Sequence, residues 1–449
     1  MENTEWNPWD EVQEEQREQL PVEKKRKPWK RGAAWALCAV MAAGLLGTGF
    51  LVGRLTIDEE MRTLLRVKRE IQKEYYQEVT DEEFYDALFY AVNNNVLDAY
   101  SQYLSAEEFD AVTESATGRT SGLGVVINKS DLCILRVCGN SPAERAGIRV
   151  GSYIVGFGLT EETIQQSSDH ATFSAFLNGV EDGIPFYLLL KEGETLSIKS
   201  ATRENYVENY VFYRSKDTSY GFTGNKATTL TERSDALACL NADTAYIRLT
   251  QFNGSAAEQF HGAMSQFKTE NKKHLVLDLR GNGGGYLNIM REIASYFCKG
   301  SEKEKPVVAV ADYGEKKDEF KAYENVYDEY FSAESRICVL ADRSTASASE
   351  CLIGCMVDYG TTAYGDICLF TVDGTAKTFG KGIMQNTYPL QILKGNAIKL
   401  TTAEIRWPLS GHSIHGRGIL PEDGTKVAQN NGSEEEGIAE AVAKLFPTA

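Results

Sequence analysis

Positive charge is in short supply in this sequence. Its 47 Lys and Arg stand against 64 Asp and Glu, for a formal charge of −17 over 449 residues. Nucleic-acid binding draws on an excess of Lys and Arg to neutralise phosphates, so that class of partner is excluded and the acidity reads as solubility. Histidine is scarce too: His170, His261, His274, His412 and His415 are the whole set, and none lies in a recognisable triad motif. The nine cysteines lack the spacing of a disulfide framework or a zinc site. Most sit within apolar runs such as Ile337-Cys338-Val339-Leu340 and read as buried free thiols packing as small hydrophobes. Apolar material is not lacking, at 42% of residues, and the length calls for two or three domains.

One stretch lacks charge altogether. From Gly32 to Gly53, 22 positions carry no Asp, Glu, Lys or Arg. As a helix this run spans a hydrocarbon layer of about 30 Å. Lys24-Lys25-Arg26-Lys27-Pro28-Trp29-Lys30-Arg31 precedes it, and Arg54, Asp58, Glu59 and Glu60 follow. The positive-inside bias puts the N-terminus in the cytoplasm and the bulk of the chain outside. A cleaved signal peptide, the alternative, normally has a shorter apolar stretch and a shorter polar leader.

Residues 1–31 form a polar tail. Residues 54–79 read as a charged helix with Ile57, Met61, Leu64 and Ile71 near one face; Lys68 interrupts the stripe, which favours a stalk over a coiled coil. Thr80-Asp81-Glu82-Glu83 opens a second helix with capping-box spacing. From about 120 the pattern changes to short strands, at 124–127, 133–137, 151–157 and 186–190, with helices near 141–147 and 171–178. Residues 206–243 read as polar and irregular. From 245 strands at 245–250, 275–279, 307–311 and 337–341 alternate with helices at 255–268, 286–298 and 348–357, which predicts α/β layering. A last amphipathic helix over 433–446 has Ser433 and Glu436 as its capping box.

Three segments carry candidate chemistry. Arg343-Ser344-Thr345-Ala346-Ser347-Ala348-Ser349-Glu350 follows a strand and opens a helix. A hydroxyl at such a turn has the helix's unpaired N–H groups beside it, the N–H of Ala348 first among them; a plain Ser-rich N-cap is the other reading. Leu277-Asp278-Leu279-Arg280-Gly281-Asn282-Gly283-Gly284-Gly285 runs from strand to helix through glycines, which permit positive φ and close approach. It lacks the Lys-Ser/Thr of a P-loop, so it supplies a second oxyanion donor or is simply a tight turn. In Phe379-Gly380-Lys381-Gly382-Ile383-Met384-Gln385 the lysine stands in an apolar context. It serves as a base if burial lowers its pKa toward neutrality, and is otherwise a surface residue.

The three segments, in this order, resemble the carboxyl-terminal processing peptidases, or tail-specific proteases, of serine peptidase family S41. The likeness covers about residues 68–425 and includes Leu97-Asp98-Ala99-Tyr100-Ser101-Gln102-Tyr103-Leu104 and the run from Ala403 to Pro421. It implies a multidomain α+β and α/β protein: a helical N-terminal region, a PDZ-like β module and an α/β peptidase core of the ClpP/crotonase-like kind. It implies Ser347 as nucleophile, Lys381 as base, Gln385 as the residue that positions the lysine, and the N–H groups of Gly285 and Ala348 as oxyanion hole. Glu350 and Asp358 match acidic positions of supporting character. Ser121-Gly122-Leu123-Gly124-Val125 resembles a PDZ carboxylate-binding loop, so that Leu123, Gly124 and Val125 would hold a substrate C-terminus. Three departures stand out: Ala99 replaces a common proline, the polar 214–243 stretch is longer than usual, and 366–378 lengthens the segment before Lys381, as a flap near the cleft or as a loop extension.

The expected organisation is a tail over 1–31, a membrane helix over 32–53, a helical region over 54–113, a PDZ domain over 114–205, the peptidase core over 206–425 and a terminal helix over 426–449. The expected activity is serine-type endopeptidase, acting on exported or unfolded proteins at a bacterial cell membrane, with no metal or organic cofactor. The terminal helices leave room for a homodimer. The rivals are an idle PDZ scaffold, which the presence of Ser347, Lys381 and Gln385 argues against, and a Ser-x-x-Lys acyltransferase through Ser265-Gln266-Phe267-Lys268, whose serine lies mid-helix without partner motifs.

Overall fold

The computed structural model describes residues 58–117, 119–229, 237–301, 304–390, 395–429 and 434–446. The expected tail and membrane span lie outside the described residues, among which no helix is long and apolar enough to cross a membrane. The chain divides into two units, residues 1–90 and 91–449.

In the first unit, helix α1 (Glu59–Glu74) starts at Asp58, whose carboxylate accepts the Met61 N–H at 2.8 Å. Two acidic residues in its first turn complement the positive end of the helix. Lys68, which breaks the apolar stripe, pairs with Asp81 at 2.9 Å and lies 4.2 Å from the centroid of the Tyr85 ring. Helix α2 (Asp81–Asn95) runs across the division between the units. Thr80 and Glu83 cap it reciprocally, as their spacing predicts.

The second unit begins with strand β1 (Gln102–Leu104) and helix α3 (Ala106–Ala116). A β module follows: β2 (Arg119–Gly122), β3 (Val125–Ile127), β4 (Ile134–Val137), the short helix α4 (Pro142–Arg145), β5 (Tyr153–Gly158), β6 (Gln165–Gln166), helix α5 (His170–Gly179), β7 (Phe186–Glu192), β8 (Thr195–Ala201) and β9 (Glu204–Val207). Ser141 caps α4 through the Glu144 N–H, with Pro142 in the first turn. Leu132, Ile134, Ile154, Phe173, Phe186, Leu188 and Leu190 make a small separate core. β9 pairs antiparallel with β2 and closes the module two residues beyond position 205.

The larger body contains β10 (Val211–Arg214), β11 (Ser219–Thr223), β12 (Lys226–Thr229), β13 (Thr244–Leu249), helix α6 (Ala256–Thr269), β14 (His274–Asp278), helix α7 (Leu287–Ala294), β15 (Val307–Asp312), β16 (Lys317–Lys321), helix α8 (Tyr327–Tyr330), β17 (Ile337–Ala341), helix α9 (Ala348–Asp358), β18 (Ile367–Thr371), β19 (Ile383–Pro389), β20 (Ala397–Arg406), β21 (Lys426–Gln429) and helix α10 (Glu434–Leu445). One sheet runs β12-β11-β10-β13-β14-β17-β18-β21, parallel from β13 onward. Alternate residues of its parallel strands are buried on opposite faces. Ile247, Leu277 and Val339 pack under α6, α7 and α9, while Val276, Leu340 and Phe370 pack against Ile438, Ala441 and Leu445 of α10. A second, antiparallel sheet runs β1-β20-β15-β16, with β19 also on β20.

Three expectations are corrected. Residues 206–243 are not irregular where described: β10, β11 and β12 extend the main sheet, and their short polar-flanked runs hide buried Val211, Tyr213 and Phe222. Strand 307–311 does not continue the parallel sheet; β15 pairs antiparallel with β16 and β20 in the other one. The 366–378 segment is not a flap or a loop extension throughout: its residues Ile367–Thr371 form β18, buried and paired parallel with β17 and β21, and a tight turn follows in which Asp373 and Gly374 take positive φ. The eight cysteines within the described residues are free thiols, six of them buried. The Ser433 part of the last capping box lies outside the described residues.

Candidate active site

Ser347 sits where β17 gives way to α9. Its backbone is held at φ 57° and ψ −115°, a conformation costly for a residue with a Cβ. Such strain at a strand-to-helix turn lifts the hydroxyl clear of the chain while the following N–H groups gather beside it. The turn leans on the glycine segment before α7. A Cβ on Gly284 would lie 2.8 Å from the Ser347 Cβ, and Gly284 has φ 98°, so only glycine fits there.

The buried Asn282 ties the two turns together. Its carbonyl accepts from the Ala346 N–H at 3.0 Å and the Ser349 hydroxyl at 2.9 Å. Its side chain accepts the Gly284 N–H at 2.9 Å and donates to the Leu249 carbonyl at 2.8 Å. In consequence Gly285 and Ala348 flank Ser347, and neither N–H donates a hydrogen bond among the described residues. Two free donors beside a nucleophile are what a developing oxyanion requires.

Lys381 reaches the same place by way of Glu350. This carboxylate, fully buried in the first turn of α9, accepts four hydrogen bonds. Oε1 takes the Thr378 hydroxyl at 2.6 Å and the Gly380 N–H at 2.7 Å; Oε2 takes the Lys381 N–H at 2.9 Å and the Ser347 N–H at 3.0 Å. Thr378 in turn accepts the Ile419 N–H at 2.8 Å. Burial pushes the Glu350 carboxyl upward and the four donors oppose it.

A cavity of about 640 Å³ holds the assembled residues. Gly283 to Leu287, Ser347, Ala348, Cys351, Lys381 to Gln385, Ile405, Trp407 and Ile414 line it, with Ala111 and Val112 of α3. No histidine is part of the lining. The Cys351 thiol is pushed well above its usual range by burial and stays protonated, which leaves Ser347 as the nucleophilic side chain of the wall. The Lys381 ammonium is shifted downward, first by burial, then by the like charge of Lys399, with Asp98 opposing. Its Nζ lies 4.9 Å from the centroid of the Tyr100 ring. Among the described residues no hydrogen bond joins Ser347 Oγ, Lys381 Nζ and the Gln385 amide, and Gln385 Nε2 is buried without a partner. Hydrogen bonds of this kind commonly tighten only around a substrate. The β19–β20 register shifts opposite Met384 and Gln385, where β20 carries Thr402 as an extra residue, and both β19 residues line the cavity.

The three segments singled out by sequence therefore meet, and Gln385 meets them. Asp358 does not: its carboxylate accepts the Leu409 and Ser410 N–H groups, and it is not part of the wall. Leu123, Gly124 and Val125 line a separate cavity of about 360 Å³ with Phe173 and Leu177. Gly124 (φ 87°) is pressed against Ser141, whose Cβ a side chain would meet at 2.1 Å. Sequence reasoning missed Asn282, Thr378, Lys399 and the whole of α3. The signal for α3 was present as Ser105 and Glu108, which cap it reciprocally.

Residues 243–423 match peptidase family S41. A probable CtpA-like serine protease of Staphylococcus haemolyticus is 26% identical over 88% of this chain and 71% of its own length. The carboxy-terminal processing protease CtpB of Bacillus subtilis is 25% identical over 81% of this chain and 67% of its own length. Among solved structures, the photosystem II D1 C-terminal processing protease superposes with a TM-score of 0.51 at 20% identity, covering 87% of this chain and all of that one; the two share a fold.

Proposed function

We propose, proceeding from a chain that belongs to peptidase family S41 and is a serine-type peptidase, that it cleaves exported or unfolded proteins with a Ser347–Lys381 dyad, selects them by their C-termini and is anchored in a membrane. The observation that carries the dyad is the Glu350 carboxylate, which binds the backbone N–H of both residues and so fixes their separation through one rigid group. Neutral Lys381 takes the Ser347 proton as Oγ attacks the scissile carbonyl. The Gly285 and Ala348 N–H groups stabilise the oxyanion, the leaving amine takes the proton from Lys381, and water resolves the acyl-enzyme in a second cycle. Gln385, which shares the cavity wall with Lys381 and has its amide Nε2 unpartnered, is the residue that orients the lysine around a bound substrate.

Selection of C-termini rests on the loop of Leu123, Gly124 and Val125. Its cavity is lined by this loop, by the apolar Phe173 and Leu177 and by the paired Arg136 and Glu208, and we take it to suit a terminal carboxylate preceded by an apolar side chain. Anchoring rests on the uncharged stretch 32–53 and the basic run before it. The dyad is tested by incubating Ser347→Ala and Lys381→Ala with an unfolded protein substrate. Each abolishes cleavage at unchanged circular dichroism; full activity in Lys381→Ala sinks the dyad.

A further inference from the structure

Charge is sparse in the walls of the active-site cavity. Among the described lining residues the charged side chains are Lys381 and Lys399, and no Asp or Glu is part of the wall. The base role assigned above requires Lys381 to shed its proton, so the standing charge of the cavity is that of Lys399 alone. Lys399 sits on β20, opposite Gln102 of β1 on one side and Thr387 of β19 on the other. It is half-buried, it shares the cavity with Ile405 farther along β20, and no ion pair engages it among the described residues. An ammonium held this way in an acidic protein keeps its donors for something that enters the cavity.

We infer that Lys399 is a carboxylate-recognising subsite of the cleavage cavity, so that the enzyme favours chains placing an acidic side chain or a free C-terminal carboxylate beside the scissile bond. The inference rests on the Ser347–Lys381 reading, because it takes Lys381 as neutral. An ammonium meeting a carboxylate in a half-buried wall forms a charge-assisted hydrogen bond, stronger than the neutral bond a glutamine or an amide could make there. No acid lines the wall itself; the carboxylate that acts on Lys381, Asp98, lies outside it. The subsite is distinct from the Leu123–Val125 loop, which lies in the other cavity.

The test is a peptide series cleaved by the full chain. Glu is compared with Gln at each position from three before to three after the cut, and a free C-terminus with its amide when the cut is near the end. The wild type should prefer one acidic or free-acid position by about tenfold in kcat/KM, the worth of one charge-assisted hydrogen bond. That preference vanishes in Lys399→Gln, survives in Lys399→Arg and reverses in Lys399→Glu. The Glu/Gln arm and the free/amide arm report separately which carboxylate is recognised. Anisotropy binding of the same peptides to Ser347→Ala repeats the comparison without turnover. An acid preference unchanged in Lys399→Gln overturns the inference, as does a variant whose pH profile shifts while its acid preference stays. If Ser347→Ala still cleaves, the dyad reading has failed instead, and the binding series continues to judge the subsite.

Discussion

Glu350 lies three residues after Ser347, fully buried, with both oxygens accepting backbone and hydroxyl donors from the Lys381 segment and from Ser347 itself. A carboxylate is the right group there because every neighbour donates and none accepts. Glu350→Gln places an amide NH₂ against those donors and loosens the register between nucleophile and base. A misplacement of about 1 Å costs about 100-fold in rate, so kcat should fall by about that factor with KM little changed; equal kcat in steady-state kinetics would remove Glu350 from this role. Protonation of Lys381 belongs to the same scale. Burial and Lys399 hold it down while Asp98 and the Tyr100 ring favour the charged form. The neutral lysine is the active form, so activity rises with pH through its pKa. Asp98→Asn removes a charge that raises that pKa, and the acid limb of kcat/KM should move to lower pH. Lys399→Gln removes a charge that lowers it, and the limb should move to higher pH. A pH–rate profile reads both signs, and a shift in the opposite sense refutes the electrostatic account.

At the scale of elements, what was legible in the sequence and what was not follow from locality. The strands at 274–278 and 337–341 announce themselves as apolar runs because both of their faces are buried. The strand at 367–371 is just as buried, yet it reads as an insertion, because its partners lie some 30 residues before it and more than 50 after it in the chain. The three site segments were legible as segments, since sharp turns demand small residues. Their mutual placement was not, since it depends on Asn282, Thr378 and Glu350, whose bonds are long-range. Helix α9 gives a packing prediction of the same kind. Trp407 lies across Gly354, so closely that a Cβ there would stand 2.1 Å from its indole nitrogen. Gly354→Ala gains about 1 kcal/mol of helix propensity but overpacks a rigid ring, at a cost of about 1–3 kcal/mol or more. Because Trp407 is only 2% exposed and the new methyl would meet three of its ring atoms within 2.3 Å, overpacking wins. The melting temperature should fall by several degrees, and a rise in a thermal scan would show that the ring yields.

At the scale of the whole molecule, the peptidase body carries its own core on both faces of the main sheet, and the β module has a second core of its own. Among the described residues, these cores are built from positions beyond 122. The proposed anchoring is therefore testable apart from catalysis. A 22-residue uncharged stretch supplies far more apolar transfer energy than the flanking charges oppose, provided those charges stay at the two interfaces. The full chain should then sediment with membranes and resist extraction at alkaline carbonate, with its C-terminus open to added protease on the extracytoplasmic side. A chain starting at Asp58 should be released to the soluble fraction and cleave a peptide with unchanged kcat/KM, because every residue of the cavity wall lies beyond position 110. Replacing two positions of the stretch, such as Leu45 and Leu46, by Lys should release the full-length protein as the truncation does. If the full chain appears in the soluble fraction with its N-terminus removed near the end of this stretch, the segment is a cleaved leader and the anchor reading fails. If the truncated chain is membrane-bound, the anchor lies elsewhere in the molecule.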